Sequence, residues 1–125
     1  MIVSTGIDIV EVYRIAETMT RTPRFAERVF TDSERAYCDA KGAAAAQSYA
    51  GRFAAKEAFL KALQTGWRGK ITWHDIEILP DDRGVPILNI SGEASKLVGD
   101  MGVERMHISI SHTTEHAVAH VIFEK

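Results

Sequence analysis

The period of the hydrophobic pattern changes along the chain. Residues 2–10 are rich in β-branched side chains and predict a strand. Its two-residue period sends Ile7 and Ile9 to one side and Gly6, Asp8 and Val10 to the other, so one carboxylate projects beside a glycine with no side chain. Residues 11–20 carry Val12, Ile15, Ala16 and Met19 at helical spacing, interrupted at Pro23. Thr31-Asp32-Ser33-Glu34 reads as a capping box opening a short helix toward Ala40. A long helix is expected over 43–65, rich in Ala, Leu, Lys, Glu and Gln, with Gly66 as its stop. Strands follow at 73–79 and 86–90, joined by the turn-forming residues 80–84. A helix over 93–101 has Ser91 as its cap and Gly92 just inside. Two last strands, 105–111 and 116–124, turn at His112-Thr113-Thr114-Glu115. This order predicts one α+β domain spanning residues 1–125.

Composition narrows the class. With 125 residues, 46% hydrophobic and 26% charged, the chain can hold a core without disulfides. Its one cysteine, Cys38, cannot form an intrachain bridge, which fits a reducing compartment; a buried small residue is its expected role. No leader pattern opens the chain, and no apolar run approaches the length of a membrane span. The expectation is a cytoplasmic protein with no membrane partner. A net charge of −2 gives no positive field for nucleic acid. The first third nonetheless carries Arg14, Arg21, Arg24, Arg28 and Arg35, interleaved with Glu11, Glu17, Glu27, Asp32 and Glu34. That pattern is compatible with a solvated helical surface of mixed charge.

Two segments hold candidate chemistry. In the helix 43–65, a four-residue spacing aligns Phe53, Glu57 and Lys61 in one row and Arg52 and Lys56 in the next. Spacing alone leaves a surface Glu57–Lys61 pair and a functional cluster equally open. In the strand 105–111, alternation puts His107, Ser109 and Ser111 on one face, beside a turn holding His112 and Thr113. Such a wall suits phosphate oxygens, although a solvent-facing strand would look the same. The histidine spacing does not match a zinc site. Neither a nucleophile elbow nor a Walker loop is present. Asp8 and Glu57, on different elements among cations and hydroxyls, suit magnesium and phosphoryl transfer.

Five blocks, in order, resemble the holo-acyl-carrier-protein synthases, the short single-domain class of 4′-phosphopantetheinyl transferases. They are Gly6-Ile7-Asp8; the run from Arg24 to Thr31 with Glu34; Arg52-Phe53-Ala54-Ala55-Lys56-Glu57-Ala58 with Lys61-Ala62; Gly84-Val85-Pro86; and Ser109-Ile110-Ser111-His112-Thr113. The resemblance implies transfer of phosphopantetheine from coenzyme A to a serine of acyl carrier protein, with 3′,5′-ADP leaving, for fatty acid biosynthesis. It implies that Asp8 and Glu57 hold Mg2+ and that Lys61 neutralises the transferring phosphate. Arg52, Lys56, His107, Ser109, His112, Thr113 and the turn from Gly84 to Pro86 would line the coenzyme. The proton of the serine would go to Glu57 or to water on the metal, with His107 as the second candidate. The family works as homotrimers with sites between subunits, and Arg14, Arg21, Arg24 and Arg28 would steer the acidic carrier protein around Phe25 as an apolar anchor. A domain that only bound coenzyme A would not need the pair Asp8 and Glu57.

Overall fold

The computed structural model describes residues 1–66 and 69–125. Strand β1 (Ile2–Glu11) leads into helices α1 (Val12–Arg21), α2 (Phe25–Val29) and α3 (Asp32–Asp39). A 3-10 turn (Gly42–Ala44) opens the long helix α4 (Ala45–Leu63), and a second such turn (Trp73–Asp75) precedes strand β2 (Ile76–Pro80). Strand β3 (Pro86–Ile90), helix α5 (Gly92–Asp100) and strands β4 (Arg105–His112) and β5 (His116–Glu124) complete the chain. The strands form an antiparallel three-stranded sheet in the order β1-β5-β4 and an antiparallel hairpin β2-β3. This is the expected α+β architecture.

Helix α4 lies on the inner face of the three-stranded sheet. The alternation of β5 explains why: Ala117, Ala119, Val121 and Phe123 are buried toward the helix, whereas His116 and His120 face outward. Most of α4 is itself interior, with Ala54, Ala55, Ala58, Phe59, Leu60, Ala62 and Leu63 all buried. Such a helix sits at the centre of the fold. Alanines let β1 approach closely, and Gly6 makes the contact possible. A Cβ there would lie 1.9 Å from the Ala58 carbonyl oxygen and 2.7 Å from the Ala62 nitrogen. Ser4 fastens the same seam by donating its hydroxyl to the Ala62 carbonyl at 2.6 Å. A second cluster, with Val12, Ile15, Val29, Phe30, Cys38 and Tyr49, packs the short helices against the start of α4. Cys38 is buried there, and burial pushes its thiol up from the ordinary range.

The capping box forms as expected: the Thr31 hydroxyl accepts from the Glu34 N–H, and Glu34 Oε1 accepts from the Thr31 N–H at 2.9 Å. Glu34 also reaches further. It is fully buried, its Oε2 accepts from the Ile78 N–H at 2.8 Å, and its Oε1 pairs with Lys56 Nζ at 2.9 Å. Lys56, also 0% exposed, donates in addition to the carbonyls of Trp73 and Ile76. Burial pulls the Lys56 ammonium down from the usual lysine range, and the Glu34 carboxylate opposes that shift.

The structure departs from the sequence reading at several points. Helix α4 ends at Leu63, and Gln64 takes the left-handed conformation at φ 64°, two residues before Gly66. The strand expected over 73–79 begins only at Ile76. Asp75 accepts from the Thr72 N–H and hydroxyl at 3.2 and 3.0 Å, tightening 73–75 into a 3-10 turn that Lys56 holds from beneath. Ser91 stands at the N-cap of α5 without donating or accepting a side-chain capping bond.

Removing one partner of the buried pair leaves an uncompensated charge. Lys56→Met should therefore destabilise the fold by about 3–5 kcal/mol in urea unfolding. Combined with Glu34→Gln, which removes the opposing charge and keeps one oxygen to accept from the Thr31 or the Ile78 N–H, the loss should fall well short of the sum of the two single losses.

Candidate active site

The close seam at Gly6 sets Asp8 beside the next turn of α4. Lys61 Nζ donates to Asp8 Oδ1 at 3.0 Å and to the Ile7 carbonyl at 2.9 Å. Glu57 lies one turn earlier on α4 and is half-buried. Burial holds its carboxyl above the usual carboxylate range, the Asp8 carboxylate raises it further, and Lys61 pulls the other way. The structure thus brings Asp8, Glu57 and Lys61 together, as the sequence led one to expect. Two carboxylates pressed together with one ammonium form a site that a divalent cation relieves. Among the described residues no group of three or more His, Cys, Asp or Glu side chains gathers for a metal. Two carboxylate arms suit magnesium, which keeps waters and fills its shell from phosphate, better than zinc.

Arg52, on another side of α4, builds a different surface. It is nearly buried, its guanidinium lies 4.4 Å from the centroid of the Tyr37 ring, and its Nε has no hydrogen-bond partner. A cavity of about 150 Å³ is lined by Tyr37, Arg52, Gly84, Pro86, Ile110 and His112. Next to it, a recess of about 270 Å³ adds Lys41, Gln47, Ser48 and Gly51. Four residues expected at the coenzyme, Arg52, Gly84, Pro86 and His112, therefore meet around one hollow. Asp81 shapes the turn there, its Oδ1 accepting from the Arg83 and Val85 N–H groups at 2.8 and 3.0 Å. Sequence reasoning missed Tyr37 and Lys41. Their four-residue spacing at the end of α3, with Lys41 Nζ 4.7 Å from the ring centroid, was the available signal.

Other expected residues stand elsewhere. Lys56 was read as a coenzyme ligand, but the structure corrects this reading: its ammonium is sealed in the interior with Glu34, Trp73 and Ile76 as partners. His107 and Ser109 lie on the outer face of the sheet, away from α4. Both border a cleft of about 430 Å³ between β3 and β4, shared with Pro86, Ile87, Leu88, Met106 and Ile108. Among the described residues, no hydrogen bond or ion pair joins them to Asp8, Glu57 or Lys61. Thr113 uses its hydroxyl as an acceptor for the Glu115 and His116 N–H groups, closing the β4–β5 turn.

The arginine surface divides in two. Arg14 pairs with Glu11 at 3.2 Å and Arg21 with Glu17 at 2.9 Å, both within or beside α1 and exposed. Arg24 and Arg28 are exposed with no ion pair among the described residues. Phe25, between them, is half-buried and packs its ring 6.2 Å from Phe30 and 6.1 Å from Phe53, which stacks on Trp73 at 5.5 Å.

Known proteins share this arrangement over the whole chain. A family model described as the 4′-phosphopantetheinyl transferase superfamily matches residues 4–120. A holo-[acyl-carrier-protein] synthase of Koribacter versatilis is 48% identical over 125 residues, covering 99% of both chains. One from Geobacter metallireducens is 47% identical over 126 residues, covering 100% of this chain and 99% of its own. Among solved structures, the holo-[acyl-carrier-protein] synthase of Neisseria meningitidis superposes with a TM-score of 0.88 at 36% identity, covering 100% of both chains. The Bacillus anthracis enzyme in complex with CoA (3′,5′-ADP) gives a TM-score of 0.80 at 43% identity, covering 98% of this chain and 96% of that one. From the match of the family model and these full-length identities, the chain belongs to the 4′-phosphopantetheinyl transferase superfamily.

Proposed function

We propose that this protein is a holo-acyl-carrier-protein synthase that acts in the cytoplasm, transferring phosphopantetheine from coenzyme A to a serine of acyl carrier protein for fatty acid biosynthesis. The observation that carries the chemistry is the meeting of Asp8, Glu57 and Lys61 at the β1–α4 seam. Asp8 and Glu57 would hold magnesium, which supplies charge spreading on the pyrophosphate when bound. Lys61, half-exposed beside them, can follow the charge as it moves onto the leaving oxygen. The serine oxygen forms a bond to the phosphorus carrying pantetheine, the bond to 3′,5′-ADP breaks, and the leaving group takes the electron pair. The serine proton goes to Glu57 or a water beside it, or alternatively to His107. Arg52, His112, Lys41 and the turn at Gly84 line a cationic hollow suited to the remaining coenzyme phosphate, with Tyr37 as its aromatic wall. Ser109 borders the adjacent cleft, and Thr113 closes the nearby turn.

The sites would lie between the subunits of a homotrimer, and the exposed face of β1 supports that reading. Ile7 and Ile9 are 58% and 66% exposed on the outer face of the sheet, the same face as His107 and Ser109 but separated from them by β5. Exposed apolar side chains of this kind favour a partner surface, and a second copy of this chain would be that partner.

Four outcomes check this reading. Acyl carrier protein incubated with the protein, coenzyme A and magnesium should gain about 340 Da, the mass of the arm moved by phosphoryl transfer. Asp8→Ala and Glu57→Ala should each lower kcat/KM about 100–1,000-fold, with the double variant little worse, because the two act as one unit. Reversing Arg24 and Arg28 to glutamate should raise the carrier-protein KM about tenfold and flatten its salt dependence, leaving the coenzyme A KM unchanged. Arg14 and Arg21, already paired, should respond less. Finally, Ile7→Glu with Ile9→Glu should convert trimers to inactive monomers in sedimentation while helical circular dichroism persists.

A further inference from the structure

On the outer face of the sheet, Glu124 at the end of β5 reaches across the hairpin to β4. Its Oε1 lies 2.8 Å from His107 Nε2 and 3.2 Å from Arg105 Nε. The register explains the meeting: Arg105 pairs with Glu124 and His107 with Ile122, so Glu124 is the diagonal neighbour of His107 on one face. The other diagonal neighbour is His120, opposite Ser109. Arg105, Glu124 and His120 are therefore the titratable groups around the ring.

We propose that Glu124 is a positioning residue that fixes the tautomer of His107, holding the ring by its Nε2–H and leaving Nδ1 as the nitrogen that accepts the serine proton. This rests on the reading of His107 as a proton acceptor in the proposed transfer. An ionised carboxylate only accepts hydrogen bonds, so the nitrogen facing it carries the hydrogen, and a neutral imidazole then has its lone pair on the other nitrogen. Two cationic or donor partners, His107 first and Arg105 second, hold the Glu124 carboxyl below its usual range, which keeps it ionised near neutrality. Arg105 Nε donates to the same Oε1 and helps hold the carboxylate in place. Nδ1 has no hydrogen-bond partner among the described residues, and the half-exposed ring borders the cleft between β3 and β4. In the transfer, the serine oxygen bonds to phosphorus and its proton passes to Nδ1. The imidazolium so formed keeps its Nε2–H on the Glu124 carboxylate, which stays ionised, and 3′,5′-ADP departs with the electron pair.

The experiment combines imidazole 15N NMR on the intact protein with transfer kinetics. The wild-type His107 ring should show the Nε2–H tautomer at neutral pH, and Glu124→Ala should mix the tautomers. The same variant should lower kcat about tenfold or more, with little change in the coenzyme A KM or the melting temperature. Placed on His107→Ala, Glu124→Ala should cost nothing further. An Nδ1–H ring in the wild type overturns the proposal, as does a full kcat in His107→Ala. So does an equal loss from Glu124→Ala in both backgrounds. If the wild type transfers nothing to acyl carrier protein, the functional reading falls, and the NMR result still decides whether Glu124 sets the tautomer.

Discussion

Taking a carboxylate and an ammonium out of water costs several kcal/mol each, and this fold recovers that cost at Glu34 and Lys56 by giving the charged atoms of both close partners. Glu34 receives the N–H of Thr31, the N–H of Ile78 and the ammonium; Lys56 gives its other hydrogens to two carbonyls. Four elements meet at that point: the start of α3, the middle of α4, the 3-10 turn at Trp73 and strand β2. Since Lys56 cannot swing away, α4 is fixed in rotation, and its neighbours on the helix are aimed by the same stroke. Glu57 is turned toward β1 and Asp8, and Arg52 toward Tyr37 and His112. The pair touches no expected ligand, yet it sets the directions in which the reactive side chains point.

Helix α4 consequently serves three environments at once. One side carries the dry pair, one the carboxylate cluster, and one the hollow around Arg52. Alanines fill the rest, which is why strand β1 can come close enough for Ser4 to bond the helix backbone. The His107 face lies beyond the sheet and is reached by neither cluster of the same chain.

The fold was largely legible because its periods are clean: β3 and β5 run over the residues expected, and the Thr31–Glu34 capping box is present. Glu57 and Lys61 were legible as one helical row and Asp8 as a position on a strand face, but only the family resemblance put the three in one site. What escaped was contact across distance. Lys56 looks like any helical surface lysine until Glu34, far upstream, folds over it. Glu124 reads as the polar end of a strand until the hairpin sets it beside His107. Tyr37 in the short helix α3 and Lys41 in the turn after it give no hint that Arg52 will stack there. The 3-10 turn at Trp73 was read as strand because it runs straight into the alternating Ile76-Glu77-Ile78, while the Thr72–Asp75 bonds that tighten it are local side-chain chemistry.

Strand β1 writes two messages in alternate letters. Ser4, Gly6 and Asp8 face the helix, and Thr5, Ile7 and Ile9 face outward. Substitution at any one letter alters one message. A change of length that slipped the pairing of β1 with β5 by one residue would exchange the two sets, driving isoleucine into the Ala58 backbone and carrying the carboxylate away from Lys61. This stretch of the chain can therefore vary in spelling far more readily than in length.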